Sequence, residues 1–119
     1  MIGDFQEHSG YNRAIFQGMR TYDRIIAFLE AARSHAETTQ VFAYIFDLRD
    51  SQEGMNVAEK YNLGIFLADM FGTRFRAVAL LHRDQITGFL ENVSRNRGAV
   101  HFRITHDEDE AREWLEKPA

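Results

Sequence analysis

Hydrophobic positions in the first half of the chain follow extended and then helical patterns. Residues 5–7 and 13–19 are predicted as two extended pieces around a turn at residues 9–12. Apolar residues at helical spacing then follow Thr21, whose hydroxyl is predicted to cap a helix of about 15 residues. Residues 41–48 (VFAYIFDL) are apolar without alternation, which is typical of a strand covered on both faces. These patterns predict a hairpin, an amphipathic helix and a central strand.

A second helix is predicted over residues 57–71. Asn56 and Glu59 have the spacing of a capping box at its start, and Gly72 is a natural residue to end it. Its second half, residues 63–71 (LGIFLADMF), is apolar nearly all the way round. Such a helix requires cover on more than one side.

The remaining chain repeats the strand–helix alternation. Residues 77–82 (AVALLH) are predicted as a buried strand, and a helix capped by Asp84 follows and ends at Gly98. Residues 100–104 alternate between apolar and polar, which indicates a strand with one exposed face. Asp107 and Glu110 then form a predicted capping box for a short terminal helix.

This order of elements predicts an α/β fold for residues 1–119 as a single domain. We expect a mixed, mostly parallel sheet of about five strands, joined by right-handed crossovers, with four helices. The N-terminal hairpin adds one antiparallel edge strand to this sheet. No internal repeat or linker divides the chain.

Composition narrows the class of protein. The chain has 119 residues, of which 45% are hydrophobic and 27% charged, as in ordinary soluble domains. It has no cysteine, which excludes disulfides and thiolate catalysis and favours a reducing, cytoplasmic location. No apolar run approaches the length of a membrane span, and the first ten residues lack the basic start of a signal peptide. A net charge of −4 argues against general nucleic-acid binding.

Charged residues follow the predicted parallel strands at the edge where open α/β sheets usually bind ligands. The candidate ligand edge comprises Asp47, Arg49, Asp50, His82, Arg83 and His106. His82 and His106 each lie near an aspartate, but those aspartates already serve as predicted helix caps. A metal site needs three or four convergent ligands, and spacing alone brings no two of these groups together, so we predict neither a metal site nor a cofactor nor catalysis.

Four local features occur in an order that is informative. Gly18 and Thr21 precede the first helix, residues 46–50 (FDLRD) end the central strand, residues 77–81 (AVALL) form the next strand, and residues 107–115 (DEDEAREWL) close the chain. In this order they resemble the STAS superfamily, the sulfate-transporter and anti-sigma-antagonist domain. The likeness is greatest to the small stand-alone, SpoIIAA-like bacterial proteins, also described as STAS/SEC14 proteins.

The resemblance implies a mixed sheet with helices mainly on one side and a role without catalysis. Anti-sigma-factor antagonists of this family carry a phosphorylatable serine, in a DSSG-like string, at the start of the second helix. The matching stretch here reads DSQEGMN over residues 50–56, so Ser51 is the candidate phosphosite. Ser51 lies earlier, in the loop, and the second serine of the pair is missing, which weakens the case for phosphorylation-controlled partner exchange.

The apolar second helix leaves three alternatives open. It lies centrally in the core, or it forms a self-association surface, or it borders a pocket for an apolar or lipid-like ligand. The candidate interface comprises Leu63, Phe66, Leu67, Met70 and Phe71. We predict a non-catalytic binding domain that acts through protein–protein contact as a homodimer. The alternative function is a carrier or sensor of an apolar small molecule or lipid.

Overall fold

A five-stranded mixed sheet forms the centre of the fold. The computed structural model describes residues 3–71, 74–85 and 101–116. Within them the five-stranded sheet comprises β1 (Asp4–His8), β2 (Tyr11–Ile15), β4 (Ala43–Asp47), β6 (Arg76–Leu80) and β7 (Phe102–Thr105), in the order β1-β2-β4-β6-β7. Strands β3 (Gly18–Arg20) and β5 (Ser51–Glu53) form a separate parallel pair. The helices of the described residues are α1 (Tyr22–Thr39), α2 (Val57–Phe71) and α3 (Glu108–Glu116), with a 3-10 turn at Arg83–Gln85.

The sheet confirms the predicted α/β class. Strands β1 and β2 are antiparallel, and β2, β4, β6 and β7 run parallel to one another. The described residues contain three of the four predicted α-helices. The further helix predicted between Asp84 and Gly98 falls mainly outside the described residues, as do Gly72 and Val100.

The N-terminal segment differs from its prediction in two places. The hairpin turn is Ser9–Gly10 alone, because Tyr11 already pairs with His8 and Asn12 with Glu7. Gly10 has a φ of +86°, which the second central position of a type II turn requires.

The predicted extended piece at residues 13–19 is two strands rather than one. Strand β2 ends at Ile15, after which the chain leaves the main sheet and pairs as β3 with β5. Gly18 allows this change of direction, because its φ is +93° and a side chain there would meet the Arg24 guanidinium.

Helices cover both faces of the sheet. Tyr44 and Phe46 of β4 pack into the core with α1 and α2, whereas Ile45 between them packs with Ala111 of α3. All three residues are at most 2% exposed. The prediction that the run at residues 41–48 is covered on both faces is therefore confirmed.

The predicted helix starts have different hydrogen bonding. Asn56 and Glu59 form a reciprocal capping box, in which each backbone N–H donates to the other side chain at 3.0 and 2.8 Å. Asp107 Oδ1 accepts from the N–H groups of Asp109 and Glu110, but the Asp107 N–H donates to Thr105 rather than to the Glu110 carboxylate, so that predicted box is only half formed. Thr21 stands at the start of α1 without a capping hydrogen bond from its side chain.

We expect substitutions at the starts of α2 and α1 to cost different amounts of stability. The change Asn56→Ala should lower the free energy of unfolding by about 1 kcal/mol, because it leaves N–H groups of α2 without an acceptor. The change Thr21→Ala should cost clearly less, because it removes no such bond. Urea unfolding of the two variants checks this difference. Equal losses would contradict the assignment of the functional cap to α2.

Candidate functional site

An ion-pair cluster occupies the carboxyl end of β4. We define the edge cluster as Arg13, Asp47, Arg49 and Glu108. Asp47 Oδ2 lies 3.1 Å from Arg13 Nη1 and 2.7 Å from Arg49 Nη2. Glu108 Oε1 lies 2.9 Å from Arg13 Nη2 and 3.2 Å from Arg49 Nη2. Two arginines thus share two carboxylates from β4 and α3.

The fold brings these four residues together from distant parts of the sequence. In the parallel register Arg13 lies beside Ile45, and Asp47 lies two residues further along β4 on the same face. Ile45 packs against α3, so Arg13 and Asp47 face that helix as well. Glu108 is the first residue of α3. The cluster therefore ties the first turn of α3 to the centre of the sheet.

The arginines stabilise the charged forms of the two carboxylates. Burial alone would raise the pKa of Asp47, but the hydrogen bonds from Arg49 and the charges of Arg49 and Arg13 outweigh it and lower the pKa. Burial alone would likewise raise the pKa of Glu108, but the hydrogen bond and charge of Arg13 and the charges of Arg49 and Arg112 outweigh it and lower the pKa. The hydrogen bonds with Asp47 raise the pKa of Arg49. Asp47, Glu108 and Arg49 are therefore ionised at neutral pH.

Of the other residues of the predicted ligand edge, only Arg83 and His106 contact each other. Arg83 Nη2 lies 2.8 Å from His106 Nε2, so these two meet at the ends of β6 and β7. The side chains of Asp50 and His82 are exposed and make no hydrogen bond or ion pair with other described residues. The predicted ligand edge thus contains a charged cluster and a separate Arg–His pair rather than one convergent site.

The Ser51 hydroxyl is buried beneath the small β3–β5 sheet. Ser51 is 3% exposed. Its Oγ accepts a hydrogen bond from Arg20 Nη1 at 2.6 Å and donates to the Leu48 carbonyl at 2.5 Å. Burial lowers the pKa of Arg20, and the nearby Glu53 carboxylate opposes that change. A kinase would reach Ser51 only after this segment opened, and phosphorylation of Ser51 stays a prediction.

The predicted interface on α2 is divided between core and surface. Leu63 and Leu67 are 3% and 2% exposed and belong to the hydrophobic core. Phe66 and Met70 are half-buried and pack against that core, whereas the side chain of Phe71 lies outside the described residues. Self-association through this half of α2 stays a prediction that now depends on Phe66 and Met70.

A different apolar surface lies at the first half of α2. We define the α2 surface as Met19, Val57 and Tyr61, whose exposed fractions are 46%, 70% and 39%. Val57 and Tyr61 are one helical turn apart, and Met19 of β3 lies against Gly54, just before the helix. Sequence analysis missed this surface, although the i, i+4 spacing of a valine and a tyrosine among polar residues was a usable signal.

Sequence analysis also missed a polar chain between β1, α1 and β4. His35 Nδ1 lies 2.9 Å from Tyr44 Oη, and Tyr44 Oη donates to the Ala32 carbonyl at 2.8 Å. On its other side, His35 Nε2 lies 3.5 Å from Glu7 Oε2, and the ring stacks on Phe5. Burial is the main reason that the pKa of Tyr44 rises to about 12, so its phenol stays neutral. These contacts fix β1 against α1.

A small cavity lies between α3 and β7. Its volume is about 140 Å³, and its walls include Arg103, Glu110, Glu113 and Trp114. It lies on the α3 face of the sheet, opposite to the pocket that was predicted between α2 and the sheet. Among the residues that the structure describes, no group of three or more histidine and carboxylate side chains is arranged to hold a metal ion.

Comparisons with known proteins leave the chain without an assigned family. No protein-family model matches it, and no curated protein matches its sequence. None of the helices in the described residues has the length and apolar character that crossing a bilayer demands.

Proposed function

We propose that the chain is a non-catalytic binding domain of the STAS type that regulates through protein–protein contact. In this proposal it acts as a homodimer in the bacterial cytoplasm. The observation that carries the proposal is the α2 surface, where three large apolar side chains are exposed around one end of a helix. Single exposed apolar residues are ordinary, but adjacent ones usually mark a contact surface.

The edge cluster has the features of a structural ion-pair network and lacks those of an acid–base site. Asp47 accepts hydrogen bonds from Arg13 and Arg49, and its lowered pKa keeps it ionised at neutral pH. A general acid or base needs a pKa near the working pH and a free approach to substrate. Paired carboxylates of this kind instead hold elements of the fold in place.

The alternative function, carriage of an apolar ligand between α2 and the sheet, has less support. The side chains that α2 directs into the core are Leu63, Leu67 and Ala68, which are 2–5% exposed. They pack directly with Tyr44, Phe46 and their neighbours in one cluster. A ligand there would have to displace core side chains.

Sedimentation equilibrium of the full chain tests the proposed function. We expect a mass that rises with concentration from the 13.8 kDa of one chain towards twice that value. The measurement should extend from about 10 µM to about 1 mM, because regulatory contacts are often weak. A chain that stays monomeric over this range would overturn the homodimer. Native mass spectrometry of the same sample checks the alternative, since a co-purified adduct would favour a carrier.

A further inference from the structure

No strand of the described residues pairs with the outer edge of β1. Among the described strands, β1 pairs with β2 alone, and it stands first in the order of the sheet. Four of its five residues are exposed. An uncovered edge strand presents free N–H and C=O groups and readily pairs with another strand. Three of the usual protections are missing, because the sequence DFQEH has neither lysine nor proline and pairs with β2 without a bulge.

The hairpin determines which backbone groups face outward. A two-residue loop closes on a hydrogen-bonded pair, here His8 with Tyr11, and hydrogen-bonded and non-bonded pairs then alternate along the two strands. Asp4, Gln6 and His8 therefore bond to β2. The N–H and C=O groups of Phe5 and Glu7 face the open edge.

We propose that two copies of the chain pair through β1, antiparallel and centred on Gln6. This interface rests on the proposed function, because it names the place where the two copies of the homodimer meet. In this register Phe5 of each copy lies opposite Glu7 of the other, so the outward N–H and C=O groups of both residues are satisfied. The two central sheets become one continuous sheet.

Charge complementarity selects this register. It places Asp4 of each copy opposite His8 of the other, in non-hydrogen-bonded positions where side chains approach most closely. A register centred on Glu7 would instead place two carboxylates directly opposite each other, which is destabilising. A register centred on Phe5 would place Glu7 and His8 opposite positions that precede β1. Only the register centred on Gln6 uses all five residues of β1 and avoids a like-charge pair.

The strand is already held in the conformation that pairing needs. Phe5 stacks on His35 with ring centroids 4.9 Å apart and on Phe28 at 6.2 Å. His8 stacks on Tyr11 at 4.9 Å, on the face that also presents Asp4. A pre-ordered strand loses little conformational freedom when it pairs, which favours association through a small interface.

Two sets of variants test the interface by sedimentation equilibrium of the full chain. Glu7→Pro removes an outward N–H and should abolish the dimer, whereas Glu7→Ala removes the same carboxylate, keeps the N–H and should leave the dimer constant within about threefold. His8→Asp should weaken the dimer by about tenfold, because it places a second carboxylate opposite Asp4 in each half of the interface, and adding Asp4→Lys to the same chain turns both pairs into opposite charges. The double variant should restore it. Circular dichroism of each variant checks that the fold is retained.

The outcomes separate this interface from the proposed function. A wild-type chain that is monomeric throughout overturns both proposals. A dimer that is insensitive to the β1 variants but lost in Val57→Lys overturns the β1 interface and leaves the homodimer standing, with the α2 surface as its contact. A dimer lost in Glu7→Pro, kept in Glu7→Ala and rescued by the charge exchange supports β1 pairing, and the α2 surface is then free for another protein.

Discussion

Replacing Arg13 by alanine is expected to lower the free energy of unfolding by about 3 kcal/mol at neutral pH. Arg13 is 8% exposed and contacts both carboxylates of the edge cluster. Its removal leaves Asp47 and Glu108 with less compensation for their burial. The expected cost lies at the lower end of the range for breaking a buried ion pair, because Arg49 still neutralises part of the charge.

The stability lost in Arg13→Ala should become smaller as the pH falls. The pKa values of Asp47 and Glu108 are lowered in the folded state. Their stabilisation is therefore present above the unfolded-state pKa of about 4 and is lost as the pH falls through the lowered values. Below those lowered pKa values the wild type keeps Arg13 buried opposite neutral carboxyl groups. The difference in stability between the wild type and Arg13→Ala should then shrink.

Fluorescence gives a local reading of the same change. Trp114 is the only tryptophan of the chain, lies on α3 and has the Arg76 guanidinium over its ring. Loosening of α3 in Arg13→Ala should shift its emission to longer wavelength before circular dichroism reports global unfolding. Arg112→Ala is the control, since Arg112 pairs with the same Glu108 only at the surface and should cause no measurable change. A loss in Arg13→Ala that is unchanged between pH 7 and pH 3 would assign the effect to packing instead.

The sequence predicted those parts of the fold in which a local pattern decides the structure. The unbroken apolar run at residues 41–48 correctly indicated a central strand, because only such a strand packs Ile45 and Phe46 against opposite layers. The capping box at Asn56 was equally local and is confirmed. The break between β2 and β3 and the whole of β5 were missed, since three residues are too few to show a periodicity and the pairing of Gly18 with Ser51 depends on the tertiary fold.

The candidate site was only partly predictable, because its partners are distant in sequence. Asp47 and Arg49 stand at the end of a strand, where the sequence placed candidate ligands. A single arginine in a short strand, such as Arg13, is usually solvent-facing, and nothing near it in sequence indicates that Glu108 will lie 2.9 Å away. The contacts with Arg13 and Glu108 change the interpretation of the predicted ligand edge. Arginines and carboxylates that pair with one another stabilise the fold and are not available to bind a ligand.

Leu67→Ala is expected to have the largest effect of the substitutions on α2. Leu67 is 2% exposed and belongs to the main core. Truncation of a buried leucine removes apolar contacts and leaves a cavity, so the free energy of unfolding should fall by about 2–5 kcal/mol. Urea unfolding measures this loss. It also tests which apolar side chains of α2 make their contacts within one chain. If Leu67 packs within one chain, its truncation should lower the free energy of unfolding equally at low and high protein concentration.

The matched control is Val57→Ala on the same helix. Val57 is 70% exposed, so the same kind of truncation should change the stability of the monomer by less than about 0.5 kcal/mol. If the α2 surface binds a second copy, Val57→Ala should matter only at concentrations where the chain associates, because burial in an interface stabilises by mass action. A large loss in Val57→Ala at low concentration, or none in Leu67→Ala, would reverse the assignment of the two faces. The apolar face of α2 would then lie on the outside of the monomer, as only one of the three alternatives for this helix, the self-association surface, requires.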